Sequence, residues 1–393
     1  MPHPLSSPLL HSLAALLAGA LLPFSPAWAQ MGTARPNAEC RLKMEARLPL
    51  TPFAGRYTAL VNIGGRDYPM LIDTGATKTM LRRDIADTLA PQTDYSQAQR
   101  VAGVGMENWS EYEHIVPSLK FGGSEWKGLK VLTATLLPPR LQALPGAPMG
   151  LIGTDLLSRY DVDFDFPARK MTLYTAQNCL GWFAPWPGEY YEYFPQKVMK
   201  GIFLLPVALN GHQARAVLDT GTTRTVVTRS VAIAAGVQPI VLTNAPQRLD
   251  TGVQANVFRT RLYRFDTVTV GPRTYRRIPL VVDDRDFASG DMLLGMDFLH
   301  GRRVWISYSS GRVFIQPGNP ASALRSRAAA GATESFRPMD PDTALSQVTR
   351  ADQNARDNLE ELLDRHPELS THTHIVYSPL IEVRQHARLQ MPQ

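Results

Sequence analysis

Met70-Leu71-Ile72-Asp73-Thr74-Gly75-Ala76-Thr77-Lys78-Thr79-Met80-Leu81 returns later in the chain as Ala216-Val217-Leu218-Asp219-Thr220-Gly221-Thr222-Thr223-Arg224-Thr225-Val226-Val227. Each copy is an apolar strand running into Asp-Thr-Gly, then a polar, Thr-rich turn, then apolar residues again. One structural unit is therefore written twice, and the correspondence extends outward from both copies. Upstream, Gly64-Gly65 begins nine residues before Asp73 and Asn210-Gly211 nine before Asp219, and both dipeptides suit a hairpin feeding the Asp-bearing strand. Downstream, Leu151-Ile152-Gly153-Thr154-Asp155-Leu156-Leu157 matches Leu293-Leu294-Gly295-Met296-Asp297-Phe298-Leu299. A further turn lies fourteen residues past each of those glycines, at Pro167 and at Ser309-Ser310-Gly311. Val162 to Phe166 and Val304 to Tyr308 alternate as half-buried strands should, and a short helix is expected through Asp155-Leu156-Leu157 and Asp297-Phe298-Leu299. The pattern predicts a mainly β chain of two lobes related by a pseudo-twofold axis, at 41–180 and 200–317.

The bulk properties narrow the function classes. The chain has 393 residues, 44% of them hydrophobic, enough for two lobes with their own cores. Its formal net charge of +6 comes from scattered basic residues, with no run resembling a phosphate-tracking stripe, so nucleic-acid binding is not expected. Residues 1–29 read as a signal peptide. Ser12 to Phe24 are apolar but short for a bilayer span, and Ala27-Trp28-Ala29 gives the small-x-small cleavage pattern. The leading segment lacks Lys and Arg, and an uncleaved anchor is the alternative reading. No later segment is apolar over a membrane-spanning length, so the mature chain is expected to be exported to a periplasm or the extracellular medium. In that oxidising setting Cys40 and Cys179, the only two cysteines, are expected to be bridged across the first lobe, the alternative being two unpaired thiols.

Residues 181–199 form an aromatic linker with Trp182, Phe183, Trp186, Tyr190, Tyr191, Tyr193 and Phe194, expected to pack between the lobes. The tail, 318–393, is low in large apolar residues at Ala323 to Ala332, with a helix expected over Asp352 to Leu363.

Paired aspartates in this setting point to hydrolysis. An ionised carboxylate can take a proton from water while a neutral carboxylic acid beside it donates to the substrate carbonyl. Two carboxyls in contact supply both forms, because like charges so close cannot both ionise easily. Asp73 and Asp219 are the candidate pair. Gly75 and Gly221 allow the sharp turn that brings backbone N–H groups toward each carboxylate, and the hydroxyls of Thr74 and Thr220 suit a bond across the pseudo-twofold.

Φ-Φ-Asp-Thr-Gly-[Ala/Thr], followed at a distance by Φ-Φ-Gly before an Asp and a short helix, resembles the retropepsin-like aspartic proteases. The resemblance covers roughly residues 50–317 and looks like retropepsin-type lobes fused in tandem. It implies an acid-protease fold and a peptidase with Asp73 and Asp219 as the catalytic pair. It also implies Thr74, Gly75 and Ala76 with Thr220, Gly221 and Thr222 as supporting loops, an extended peptide or protein as substrate, and no metal or organic cofactor. Two lobes on one chain remove the need for a dimer, so a monomer is expected. A glycine-bearing flap over the substrate is also implied, and Gly103-Val104-Gly105 suits it.

Thr222 offers a hydroxyl toward Asp219 whereas Ala76 offers none to Asp73, which predicts that Asp219 ionises first. Asp250-Thr251-Gly252 is a third triplet at the flap offset without the preceding apolar pair, and it reads as a turn. His366, His372 and His374 lack acidic or Cys partners at ligand spacing and do not read as a metal site. Phosphoryl transfer on aspartate usually needs an acidic residue two positions on, where Gly75 and Gly221 stand. The competing function class is a bilobal peptide-binding protein without catalytic activity.

Overall fold

The computed structural model describes residues 29–31, 39–103, 106–179, 184–187, 189–195, 197–252, 257–287 and 290–318. They form three sheets. The first sheet orders its eight strands as Thr51–Phe53, Arg56–Ile63, Arg66–Ile72, Gly150–Ile152, Met80–Arg82, Ser124–Ala134, Met106–Phe121 and Gln92–Gly103. The second orders its eight as Lys197–Met199, Ile202–Leu209, His212–Leu218, Met292–Leu294, Val226–Thr228, Arg273–Asp283, Val257–Val270 and Gln247–Thr251. The two orders correspond strand for strand, down to an extra pairing of Arg56–Ile63 with Met106–Phe121 and of Ile202–Leu209 with Val257–Val270. The duplicated sequence has folded into duplicated mixed sheets, as tandem acid-protease lobes require.

Turn chemistry sets the registers. Gly64 and Gly65 have φ of +59° and +88°, and Asn210 and Gly211 have +48° and +86°. Two successive left-handed residues make the tight hairpin that pairs Ile63 with Arg66 and Leu209 with His212. A second pair of such turns, at Ala54-Gly55 and Lys200-Gly201, opens each lobe. The latter draws Lys197–Met199 into the second sheet, inside the stretch read from sequence as linker.

A seven-stranded antiparallel sheet joins the halves, in the order Ala29–Met31, Tyr191–Tyr193, Arg312–Ile315, Arg303–Ser307, Asp161–Asp165, Lys170–Gln177 and Arg41–Pro49. At its centre the first half meets the second, Val162 opposite Ile306 and Asp165 opposite Arg303. Cys40 and Cys179 form a disulfide at one edge, beside the paired ends of Arg41–Pro49 and Lys170–Gln177. Ala29, read from sequence as the last residue of the leader, pairs with Tyr193 at the opposite edge. Trp186 and Tyr190 bury their rings against Trp305 and Phe314 of this sheet, so these linker aromatics pack where the halves join. Trp182, Phe183, residues 1–28 and the expected helix at Asp352 to Leu363 lie outside the described residues. Short helices follow each apolar-apolar-Gly at Thr154–Leu157 and Met296–Leu299. Among the described residues no helix is long and apolar enough to cross a membrane.

Candidate active site

Each Asp-bearing strand ends in the same way. Ile72 and Leu218 lie alongside Ile152 and Leu294 in parallel pairs, and the N–H groups of Asp73 and Asp219 donate to the Ile152 and Leu294 carbonyls at 3.0 and 3.1 Å. Beyond the aspartates the chain turns, and the two turns meet. The Thr74 hydroxyl donates to the Leu218 carbonyl at 2.6 Å and accepts the Thr220 N–H at 3.1 Å. The Thr220 hydroxyl donates to the Ile72 carbonyl at 2.6 Å and accepts the Thr74 N–H at 3.1 Å. Four bonds thus lace the loops together in a buried setting where water cannot substitute for them.

The carboxyls of Asp73 and Asp219 come into hydrogen-bonding contact within this frame. Gly75 N–H donates to Asp73 Oδ1 at 2.9 Å and Gly221 N–H to Asp219 Oδ1 at 2.8 Å. The next N–H groups, of Ala76 and Thr222, also bond Asp73 and Asp219 respectively. Burial pushes the Asp73 carboxyl above its ordinary value, against the pull of the Gly75 N–H and the Arg56 charge. Burial and then the negative charge of Asp73 push the Asp219 carboxyl up as well. A pair held this way retains one proton well above the pH at which a free carboxyl loses it, so an acid and its conjugate base stand side by side.

Gly75 and Gly221 turn their N–H groups toward the carboxylates, as expected from sequence, and do so without left-handed backbone; neither is among the positive-φ glycines. Their need for a bare Cα is steric. A Cβ on Gly75 would lie 2.5 Å from the Asp219 carboxyl carbon, and one on Gly221 would lie 2.3 Å from Asp73 Oδ2. The Thr222 hydroxyl, expected to donate toward Asp219, donates instead to the Arg224 carbonyl at 3.3 Å. Thr222 serves Asp219 through its N–H, as Ala76 serves Asp73, so the hydroxyl contrast supplies no reason for Asp219 to ionise first.

The downstream motif supports the loops from behind. Asp155 accepts the Thr79 N–H and hydroxyl at 2.9 and 2.8 Å, and Asp297 accepts the Thr225 N–H and hydroxyl at 2.9 and 2.7 Å. Gly153 and Gly295 let the chain pass close behind, since a Cβ would come within 2.6 Å of the Lys78 carbonyl carbon and 2.4 Å of the Arg224 oxygen. These aspartates were visible in the repeat, each two residues past its glycine, but their partners were not.

Arg56 is the residue that sequence reasoning passed over. It lies beside the pair, its charge acting on both aspartates and its Nη1 donating to the Gly221 carbonyl at 3.5 Å. Comparing the halves position by position would have exposed it, because Ile202 occupies the matching place.

Of the flap, Gly103 closes the strand Gln92–Gly103 and pairs with Met106, while Val104 and Gly105 lie outside the described residues. Asp250 and Thr251, read as a turn, belong to the strand Gln247–Thr251. The Asp250 carboxyl is taken up by Arg248 and by the Thr260 hydroxyl, which donates to it at 2.6 Å. The first two residues of the third triplet therefore stay in the sheet. His366, His372 and His374 lie outside the described residues.

Residues 59–156 match the family model described as aspartyl protease, and residues 205–301 match the one described as gag-polyprotein putative aspartyl protease. The first match spans Asp73 and Asp155, the second Asp219 and Asp297. Among curated proteins none matches the chain.

Proposed function

Because the chain carries two retropepsin-like aspartyl-protease domains in tandem, we propose that it is an aspartic endopeptidase in which Asp73 and Asp219 together activate water on a peptide bond. The observation that carries this reading is the reciprocal bonding of Thr74 and Thr220, which brings one carboxyl from each half into contact. Water held between the carboxyls gives a proton to the ionised one as its oxygen attacks the peptide carbonyl carbon. The neutral carboxyl gives its proton to the carbonyl oxygen, forming a neutral tetrahedral diol. Breakdown reverses the roles: the diol returns a proton, the C–N bond breaks and the amine leaves protonated. No covalent enzyme intermediate is needed.

The substrate on this reading is an extended peptide or protein lying between lobes 41–180 and 200–317, under a flap at Gly103 to Gly105. The site is complete within one chain, which favours a working monomer. The Cys40–Cys179 bond suits an oxidising compartment and supports export to a periplasm or the extracellular medium, with residues 1–29 as the signal peptide.

Cleavage of a quenched peptide library across pH by wild type, Asp73→Asn and Asp219→Asn tests the proposal. Each substitution should abolish turnover while the protein stays folded. Peptide binding by wild type without any cleavage would leave the peptide-binding alternative instead.

A further inference from the structure

Basic residues are scattered along the sequence, but the fold gathers four arginines on one hairpin of the second lobe. Its strands Val257–Val270 and Arg273–Asp283 pair Arg264 with Pro279, Thr267 with Arg276 and Val270 with Arg273. Arg264, Arg273, Arg276 and Arg277 are exposed, and none of them has an ion-pair partner among the described residues. The carboxylates at the far end of the hairpin are taken by other cations: Asp283 holds Arg285 at 3.1 Å and Asp284 holds Arg261. Asp266, the one acidic residue within 264–277, pairs with none of the four.

Arg277 is placed there against the preference of its backbone. The ladder skips from Thr267–Arg276 to Phe265–Ile278, and Arg277 stands in the gap at φ +56°. The pairings Met80–Leu132 and Val226–Val281 are equivalent, which makes Gly128 the counterpart in the first lobe, at φ +64°. Glycine adopts that conformation without strain, and a residue with a Cβ does not. A Cβ on Gly128 would meet nothing within 4 Å, so a side chain at this position gains no packing. What arginine adds is a charge facing solvent. The gap also steadies a second cation, because Arg264 Nη1 donates to the Arg277 carbonyl at 3.0 Å.

The turn of the hairpin touches the edge where the N-terminal segment joins the fold. Gly271 is pressed against the Tyr193 ring, a Cβ there falling 2.6 Å from it, and the Arg273 guanidinium lies 5.6 Å from the centre of the Tyr191 ring. Tyr193 and Tyr191 pair with Ala29 and Met31. The apolar run Ser12 to Phe24, read as part of a leader, ends five residues before Ala29. A leader directed to a bilayer therefore brings this edge, and the arginines beside it, to the membrane first.

We propose that the hairpin is a docking surface for an anionic phospholipid membrane. Guanidinium groups without carboxylate partners can bond lipid phosphates through paired N–H donors, and attraction to a negative surface adds to that binding. The position of the leader favours lipid over nucleic acid, the other phosphate-bearing surface. The proposal goes beyond the peptidase reading and does not need it, since none of the four arginines belongs to the catalytic loops.

The test is co-sedimentation of the exported protein, purified from cells expressing the full chain, with vesicles of phosphatidylcholine alone or of phosphatidylcholine and phosphatidylglycerol in equal parts. Wild type should bind the mixed vesicles at low salt, bind the neutral ones at least about 100-fold more weakly, and dissociate as salt is raised. Arg264→Gln, Arg273→Gln, Arg276→Gln and Arg277→Gln together should weaken binding to the mixed vesicles at least about 100-fold, at about fivefold per arginine. Arg277→Gly restores the residue used in the first lobe and relieves the backbone, so it should keep Tm while losing about fivefold in binding. It reads the surface even if the combined variant fails to fold. Lys127→Gln, at the first-lobe position matching Arg276, should change binding less than about twofold, being screened from the patch. Equal binding to both kinds of vesicle, undiminished binding in Arg277→Gly or the combined variant, or an equal loss in Lys127→Gln overturns the proposal. So does tighter binding to duplex DNA than to the mixed vesicles at the same salt.

Discussion

The hydroxyls of Thr74 and Thr220 each donate to the carbonyl two residues before the other threonine, both at 2.6 Å, so neither active-site loop is complete without its mate. Position on the chain separates these residues by 146 places, yet they behave as one structural element. Thr74→Ala should therefore damage both halves. It strands the buried Leu218 carbonyl and Thr220 N–H, and unmet buried polar groups cost about 1–3 kcal/mol each. Urea unfolding should show a loss of about 2–4 kcal/mol, and Thr74→Ser, which restores the hydroxyl, should recover most of it.

Gly75→Ala and Gly221→Ala should separate stability from activity. The new Cβ would lie 2.5 or 2.3 Å from a carboxyl atom of the opposite half, so that carboxyl must move. Peptide turnover should fall at least about 100-fold, the order of loss that an ångström of misplacement causes, while circular dichroism keeps the β signature. Turnover at wild-type level in both variants would show that contact between the carboxyls is not required.

The pair should make native stability depend on pH in a definite direction. Burial raises both folded-state values above the ordinary 3.8, so the native protein binds protons more tightly than the unfolded chain. Stability from these groups is fully present below that ordinary value and is lost as pH rises through the raised folded values. Asp219→Asn removes the second charge and should gain stability over wild type at pH 8 more than at pH 4. Thermal melts of both proteins at the two pH values check the sign.

Reduction of the disulfide should loosen the joining sheet rather than the site. Cys40 and Cys179 close a separation of 139 residues, and restricting a loop of that size in the unfolded chain contributes about 3–5 kcal/mol. Cys40→Ser with Cys179→Ser should lower Tm in proportion. The Thr74–Thr220 bonds are made by other segments, so kcat/KM at 25 °C should stay within about threefold of wild type, as expected for a remote, independent change.

Much of the fold was legible because its signals are local. Asn210-Gly211 specifies a hairpin wherever it occurs between apolar strands, and its two left-handed residues form one here. Asp250-Thr251-Gly252 shows the limit of local reading. Asp250 and Thr251 stay in a strand, the Asp250 carboxyl finding Arg248 two residues back on the same strand and Thr260 on the neighbouring one, partners that no turn rule reveals. Thr222 shows it again: its hydroxyl donates to the Arg224 carbonyl, and only its N–H bonds Asp219.

The amino-acid order by itself determined that one unit occurs twice, where its hairpins turn, and which two aspartates stand in matching context. Those properties depend on neighbours a few residues apart, and such neighbours are written side by side. Tertiary structure alone decided that each glycine of the pair faces the opposite aspartate, which carbonyl each threonine hydroxyl reaches across the axis, and that Arg56 contacts the Gly221 carbonyl. Coulomb forces and steric exclusion act through distance in space, and only folding sets the distance between residues far apart along the chain.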